Sequence, residues 1–137
     1  MKNVSIVQTT LILFLLITCS VVCLSCQQAP DNNKIDISAE EFAKQKDQPN
    51  VIVLDVRTTR EYQQGHLAEA VFMDMYQPGF REDILKLDKE KTYYIYCHSG
   101  GRSHSATKFM RQNGFKNVFN VDGGIISMSR AGIQFTK

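Results

Sequence analysis

Residues 92–103 read TYYIYCHSGGRS, and this stretch decides how the rest of the chain is interpreted. Its first five residues are β-branched or aromatic, a composition that favours a β-strand. The small residues Ser99, Gly100 and Gly101 then allow the chain to turn, and the pattern predicts a helix from Ser103 to Asn113. Cys97 therefore stands between a strand and a helix. In open α/β sheets, reactive groups collect at this end of the strands.

The residues around Cys97 favour a nucleophilic role for its sulfur. A turn of small residues whose N–H groups point inward, ahead of a helix, attracts anions. The same groups stabilise a thiolate, which lowers the pKa of a cysteine. Arg102 adds a planar cation suited to sulfonate, phosphate or carboxylate oxygens. A lone cysteine after a strand is often only a small buried side chain, but its combination with Gly100, Gly101, Arg102 and Ser103 favours a nucleophile that faces an anionic substrate.

The rest of the domain alternates strands and helices. Five short strands separated by helices predict an α/β fold with a mostly parallel sheet and helices on both faces. The predicted strands are 34–37, 51–56, 70–73, 92–96 and 116–121. The predicted helices are 39–46, 60–64, 80–87, 103–113 and a last one that ends near Gly132.

Residues 1–26 are predicted to be a signal peptide. The apolar run from Leu11 to Leu24 is shorter than the roughly 20 residues that a spanning helix needs, and with Lys2 it matches a secretory signal. Leu24-Ser25-Cys26 is similar to a bacterial lipobox, which predicts lipidation of Cys26; simple cleavage and an uncleaved anchor are the alternatives. Residues 27–33 are predicted to be a polar tether, and residues 34–137 the domain. The expected location is the bacterial cell envelope, either periplasmic or tethered to a membrane.

Composition and cysteine usage narrow the possible functions. The chain has 43% hydrophobic and 22% charged residues, an ordinary globular balance. Its net charge of +2 comes without a block of Lys and Arg, so no nucleic-acid partner is predicted. Cys19, Cys23 and Cys26 fall within the predicted signal peptide. Cys97 is then the one thiol of the domain, which excludes a disulfide inside it.

With these motifs in order, the chain resembles the single-domain rhodanese family over residues 35–134. Several ordered motifs at family-like spacing are more specific than one. The matching segments are Leu54-Asp55-Val56-Arg57 with Glu61-Tyr62, Gly65-His66-Leu67 followed by Ala70-Val71, Tyr96-Cys97 through Arg102-Ser103, Gly114-Phe115 with Val118, and Asp122-Gly123-Gly124-Ile125 with Ala131-Gly132.

The resemblance implies a sulfurtransferase that moves a sulfane sulfur through a persulfide on Cys97. The implied donor is a thiosulfate-like anion, the implied acceptor is cyanide, a thiol or a protein, and no cofactor is implied. Four residues separate Cys97 from Arg102, as in the family, whereas related phosphatases have five. This spacing favours sulfur transfer over a phosphatase or arsenate reductase. A binding module with the same fold remains an alternative, and a thiol-redox role lacks a second cysteine.

The other site residues have smaller expected roles. The active-site loop is expected to comprise His98, Ser99, Gly100, Gly101, Arg102 and Ser103, with His98 tuning donor binding rather than acting as a base. Arg102 is expected either to contact substrate or to anchor the loop to an acidic neighbour. Asp55 and Arg57 are expected to support the site, more as an ion pair or as loop anchors than as ligands.

Two further features complete the expectations. Three scattered histidines, His66, His98 and His104, do not make a metal site. Met128 stands where the family commonly has a tryptophan, and the chain has no tryptophan. Methionine adapts to irregular packing, so the fold is expected to absorb the change. The rim of the site is expected to differ.

Overall fold

The computed structural model describes residues 34–137. The predicted signal peptide, Cys26 and the tether at 27–33 lie outside these residues and stay predictions. Within the described part of the chain, no helix has the length and apolar character needed to cross a membrane.

The described residues form five strands and five helices that alternate along the chain. The strands are β1 (Asp36–Ile37), β2 (Val51–Asp55), β3 (Val71–Phe72), β4 (Thr92–Tyr96) and β5 (Asn117–Val121). The helices are α1 (Ala39–Gln45), α2 (Thr59–Gln64), α3 (Phe80–Leu85), α4 (Gly101–Gln112) and α5 (Gly124–Arg130).

The strands form one sheet in the order β1-β5-β4-β2-β3. All four pairs of neighbouring strands are parallel. An isolated antiparallel bridge joins His66 to Thr136 outside these strands. The predicted five-stranded α/β fold is confirmed, and β4 lies at the centre of the sheet.

Two hydrophobic clusters cover the two faces of the sheet. Successive residues of a strand point to opposite faces, so Tyr94 and Tyr96 join one cluster while Tyr93 and Ile95 join the other. The first cluster includes Phe42 of α1 and Met128 of α5. The second includes Ile84 of α3 with Ala106 and Met110 of α4. Helices therefore lie on both faces, as predicted.

Element boundaries differ from the predictions at the sheet edges and at α4. β1 and β3, the two edge strands, have two residues each, because each pairs with its single neighbour at two positions. The predicted start of α4 at Ser103 is wrong, since the helix begins at Gly101. Gly100 has a φ of +97°, a left-handed conformation that glycine adopts without strain, and it turns the chain directly into the helix. Gly101 and Arg102 consequently belong to the first helical turn.

A buried ion pair fixes the end of β2. Arg57 Nη2 lies 2.6 Å from Asp55 Oδ2, and the two side chains are 4% and 0% exposed. The same nitrogen donates a hydrogen bond to the carbonyl oxygen of Gly65 at 2.7 Å. The Arg57 guanidinium also lies 5.5 Å from the centroid of the Tyr96 ring. The pair thus ties β2 to the segment after α2, because neither charge has water to replace its partner.

The turn between β5 and α5 holds the loop after β4 in place. The N–H of Ile125 donates to the carbonyl oxygen of Cys97 at 2.9 Å. Gly124 lies so close that a Cβ on it would sit 2.4 Å from that same oxygen, and its φ is +54°. Only glycine fits this contact without moving the backbone of Cys97.

We expect Gly124→Ala to destabilise the protein. The strained φ alone costs on the order of 1–3 kcal/mol, and the displaced Cys97 carbonyl adds to that cost. Urea unfolding of the variant measures the change in free energy of unfolding.

Gly101→Ala is the matched control, because a Cβ there meets nothing within 4 Å. Alanine in a helix is about 0.5–1 kcal/mol more favourable than glycine, so this variant should be as stable as wild type or slightly more so. Equal stabilities of the two variants would contradict the assigned contact.

Candidate active site

Cys97 follows the last residue of β4 and is 1% exposed. Its Sγ accepts a hydrogen bond from the N–H of Gly100 at 3.2 Å and another from the hydroxyl of Ser103 at 3.3 Å. The central strand and the first turn of α4 therefore position the sulfur from both sides. An α4 of twelve residues also directs the positive end of its dipole toward this loop.

Opposing effects act on the ionisation of the thiol. Burial disfavours the thiolate, but hydrogen bonds from the Ser103 hydroxyl and from the backbone N–H groups of Ser103, Ser99 and Gly100 favour it. The hydrogen bonds outweigh burial and lower the pKa of Cys97 below its ordinary value. The arrangement thus favours the thiolate form although the sulfur is screened from water.

Ser103 connects the sulfur to the turn. Its hydroxyl lies 3.0 Å from the carbonyl oxygen of Gly100 and 3.3 Å from Cys97 Sγ, so one hydrogen serves two acceptors. A negative sulfur is the stronger acceptor. Ionisation of Cys97 therefore draws the Ser103 hydrogen toward it, and the hydroxyl adjusts without a backbone movement.

His98 and Ser99 lie at the exposed side of the loop, whereas Gly100 is buried. His98 helps to line a cavity of about 370 Å³ beside the loop. The other lining residues are Arg57, Glu61, Gln64, Gly65, Ile125 and Phe135. This cavity mixes polar and apolar side chains and borders both the Cys97 loop and its Ile125 support.

Arg102 forms a two-pronged ion pair with Glu61 of α2. Its Nη1 lies 2.7 Å from Glu61 Oε2 and its Nη2 2.6 Å from Glu61 Oε1. Hydrogen bonding to Arg102 holds the pKa of Glu61 well below its usual range, and hydrogen bonding to Glu61 raises the pKa of Arg102. Of the two expectations for Arg102, the structure shows the acidic neighbour.

The sequence did not predict the ion pair of Glu61 with Arg102, although Glu61 belongs to a recognisable helix-capping pattern. Thr58 and Glu61 form a capping box: each side chain bonds the other's backbone N–H. The T-x-x-E spacing predicts such a cap. Nothing in it predicts the contact with Arg102, which lies 41 residues away.

Of the two supporting residues, Asp55 is buried beside the site, whereas Arg57 also lines the cavity next to the loop. Asp55 is the register partner of Tyr96, the residue before Cys97. With Arg57 it forms the buried ion pair described above, so both are committed to structure. Met128 is fully buried in the cluster with α1, so the expected difference from tryptophan falls in the core and not at the rim.

The histidines occupy separate environments. His66 stacks on Tyr62 with ring centroids 3.8 Å apart, and His104 Nδ1 lies 2.9 Å from Asp36 Oδ1. Among residues 34–137, no three His, Cys, Asp or Glu side chains are grouped to hold a metal ion.

Comparison with known proteins adds to this geometry. A family model described as "Rhodanese-like domain" matches residues 38–131. A curated protein from Yersinia enterocolitica, named tRNA uridine(34) hydroxylase, is 37% identical over 107 residues, 74% of this chain. The match spans 30% of that relative's length.

Two solved structures resemble the chain over most of their length. A rhodanese-related protein from Thermoplasma volcanium is 28% identical with a TM-score of 0.66, covering 74% of this chain and 97% of that one. A rhodanese-like domain protein from Staphylococcus aureus is 28% identical with a TM-score of 0.59, covering 69% and 90%. The family match, the fold and the position of Cys97 agree, and the chain belongs to the rhodanese-like domain family.

Proposed function

We propose that this protein is a sulfurtransferase that carries a sulfane sulfur as a persulfide on Cys97. The observation that carries the proposal is the buried sulfur of Cys97, which accepts hydrogen bonds from the N–H of Gly100 and the hydroxyl of Ser103. These donors lower its pKa. The four-residue spacing from Cys97 to Arg102 also favours sulfur transfer over phosphate chemistry.

In the first half-reaction the Cys97 thiolate attacks the outer sulfur of a donor such as thiosulfate. A bond forms between the Cys97 sulfur and the outer sulfur, and the bond between the two sulfurs of thiosulfate breaks. Sulfite leaves with the electron pair. The exchange transfers no proton, so the thiolate form of Cys97 needs no general base for this step.

In the second half-reaction an acceptor takes the sulfur from the persulfide. N–H groups of the loop and the Ser103 hydroxyl stabilise the persulfide's negative charge, as an oxyanion hole stabilises an oxygen. Cyanide, a thiol or a protein cysteine attacks the terminal sulfur, and Cys97 returns to the thiolate. With cyanide the product is thiocyanate.

The name of the Yersinia relative concerns hydroxylation of a tRNA uridine. The match covers 30% of that protein, and its name does not by itself extend to this chain. The net charge of +2 without a basic block also gives no reason to expect tRNA as the acceptor.

Thiosulfate should add one sulfur atom to the protein. The full chain is incubated with thiosulfate in mild detergent, and its intact mass is recorded before and after cyanide. We expect the added sulfur to be removed by cyanide and to be absent in Cys97→Ser. A variant with Cys19, Cys23 and Cys26 replaced by serine is the matched control and should still take up sulfur, because it keeps Cys97.

Other outcomes would replace the proposal. Hydrolysis of an aryl phosphate with Cys97 unmodified by thiosulfate would indicate a phosphatase. No modification and no hydrolysis would favour a binding module.

Removal of the Ser103 hydroxyl should make Cys97 less reactive at neutral pH. The thiolate of Ser103→Ala loses a donor, so the pKa of Cys97 rises and a smaller fraction is ionised. The pH profile of Cys97 alkylation by iodoacetamide, measured with the other cysteines replaced by serine, should move to higher pH. The rate near neutral pH should fall several-fold, and the difference should disappear well above both pKa values.

Ser105→Ala is the control for this profile. Ser105 is also on α4, but its hydroxyl donates to the carbonyl oxygen of Gly101 at 3.2 Å and not to the sulfur. Identical pH profiles for the Ser103 and Ser105 variants would show that the hydroxyl does not stabilise the thiolate.

We also propose that the protein is exported to the bacterial cell envelope and anchored through a lipid on Cys26. The lipobox-like Leu24-Ser25-Cys26 after the apolar run supports this proposal. Radiolabelled fatty acid should enter the wild type and Cys19→Ala, but not Cys26→Ala, when the proteins are made in bacteria. A labelled Cys26→Ala would contradict the assignment, and an unlabelled wild type would favour simple cleavage or an uncleaved anchor.

A further inference from the structure

The ion pair between Arg102 and Glu61 occupies the charged groups beside the Cys97 loop. Both terminal nitrogens of Arg102 donate to the carboxylate, at 2.6 and 2.7 Å. Glu61 is itself held, because its Oε2 accepts from the N–H and the hydroxyl of Thr58 at 3.0 and 2.7 Å. Four donors therefore fix one carboxylate and, through it, the guanidinium.

The ion pair with Glu61 neutralises the positive charge of Arg102, which otherwise acts on the sulfur of Cys97. The positive charge of Arg102 interacts with Cys97 as well as with Glu61. Because the pKa of Glu61 lies well below its usual range, the carboxylate is negative at neutral pH. An anion near Cys97 therefore meets a neutral pair and not a free guanidinium.

Arg57, which lines the cavity beside the loop together with Glu61, is also paired with a carboxylate. Its guanidinium bonds Asp55 at 2.6 Å, with both side chains almost fully buried. Neither Arg57, which lines the cavity, nor Arg102, which pairs with the cavity residue Glu61, adds a net charge. The attraction for an anion therefore comes mainly from N–H and hydroxyl dipoles. Such dipoles suit one negative sulfur, whereas a small dianion gives up much more hydration on entry.

The size and lining of the cavity indicate that the sulfur donor carries an organic group. Its volume of about 370 Å³ falls in the range of roughly 300–1,000 Å³ typical of organic ligands, and far exceeds the size of a thiosulfate ion. Ile125 and Phe135 supply apolar lining, and Gln64 and His98 supply polar groups. An organic group attached to the transferred sulfur has space here.

We propose that Glu61 is a specificity-determining residue: by pairing with Arg102 it directs the site toward organic persulfide donors and away from free dianions such as thiosulfate. This inference rests on the proposed sulfurtransferase function. The Cys97 thiolate attacks the terminal sulfur of R–S–SH, a new sulfur–sulfur bond forms on Cys97, and the old one breaks. R–S⁻ leaves with the electron pair, and the hydrogen stays on the transferred sulfur, so no oxidant is needed. Thiosulfate remains a donor at high concentration.

Glu61→Gln tests the inference in the full chain. Glutamine keeps the size of the side chain and an oxygen that accepts from Thr58, but it leaves the charge of Arg102 uncancelled. The initial rate of Cys97 persulfide formation is followed by intact mass against the concentration of thiosulfate or of an uncharged alkyl persulfide. We expect the half-saturating thiosulfate concentration to fall about tenfold, with little change for the alkyl persulfide or for the maximal rates.

Two further variants control for charge and for folding. Glu90→Gln removes the same charge from an exposed pair with Lys116 before β4, at the end of that strand opposite Cys97, and should change neither donor. Glu61→Gln combined with Arg102→Gln should lose the gain for thiosulfate. If Glu61→Gln unfolds below the assay temperature, Arg102→Gln alone tests the inference. In that variant the unpaired Glu61 carboxylate should repel thiosulfate and raise its half-saturating concentration. The value for the alkyl persulfide should be nearly unaffected.

The outcomes separate this inference from the proposed function. If Glu61→Gln raises the half-saturating thiosulfate concentration, or changes both donors alike, the pair only positions the loop. The inference is then wrong while sulfur transfer stands. If wild-type Cys97 takes sulfur from neither donor, both the inference and the proposed function are wrong.

Discussion

Stabilisation of the thiolate form of a buried sulfur is the physical constraint on which the rest of this structure depends. Cys97 is 1% exposed, and burial by itself opposes its ionisation. The charge is tolerated because the N–H groups of the turn and the Ser103 hydroxyl are fixed around it before any substrate arrives. Gly100 gives the turn its left-handed conformation, and Gly124 allows the β5–α5 turn to approach the Cys97 carbonyl. β4, which leads into Cys97, is paired with a strand on each side.

The arginines beside the Cys97 loop form ion pairs with carboxylates. Arg57 pairs with Asp55 and Arg102 pairs with Glu61. Each guanidinium is therefore held by a carboxylate of the protein itself and is not free to bind an anion as an isolated cation. The loop offers N–H donors, and the arginines beside it are paired. It therefore distinguishes anions by their charge density and disfavours small dianions. In this arrangement, the residue that neutralises the arginine matters for specificity as much as the arginine itself.

The strands were predictable where an apolar, β-branched run in the sequence corresponds to a strand that is buried in the fold. β2, β4 and β5 are predicted within one residue at each end, because apolar and β-branched runs in a sheet covered on both faces are distinctive. β1 and β3 are shorter than predicted, since the length of an edge strand depends on its neighbour. The start of α4 was misplaced by two residues because glycines weaken the helix pattern, whereas the left-handed Gly100 lets the helix begin at once.

The sequence by itself determined the α/β class and the position of Cys97 in a loop between a strand and a helix, because these follow from spacing within short segments. Only the tertiary structure decided what surrounds that loop. The Glu61 partner of Arg102 is 41 residues distant in the chain, and the N–H of Ile125 reaches the Cys97 carbonyl from another turn. Sequence spacing carries no information on which distant segments meet. That is decided by the strand order β1-β5-β4-β2-β3, which brings α2 and the β5–α5 turn to the same end of the sheet as Cys97.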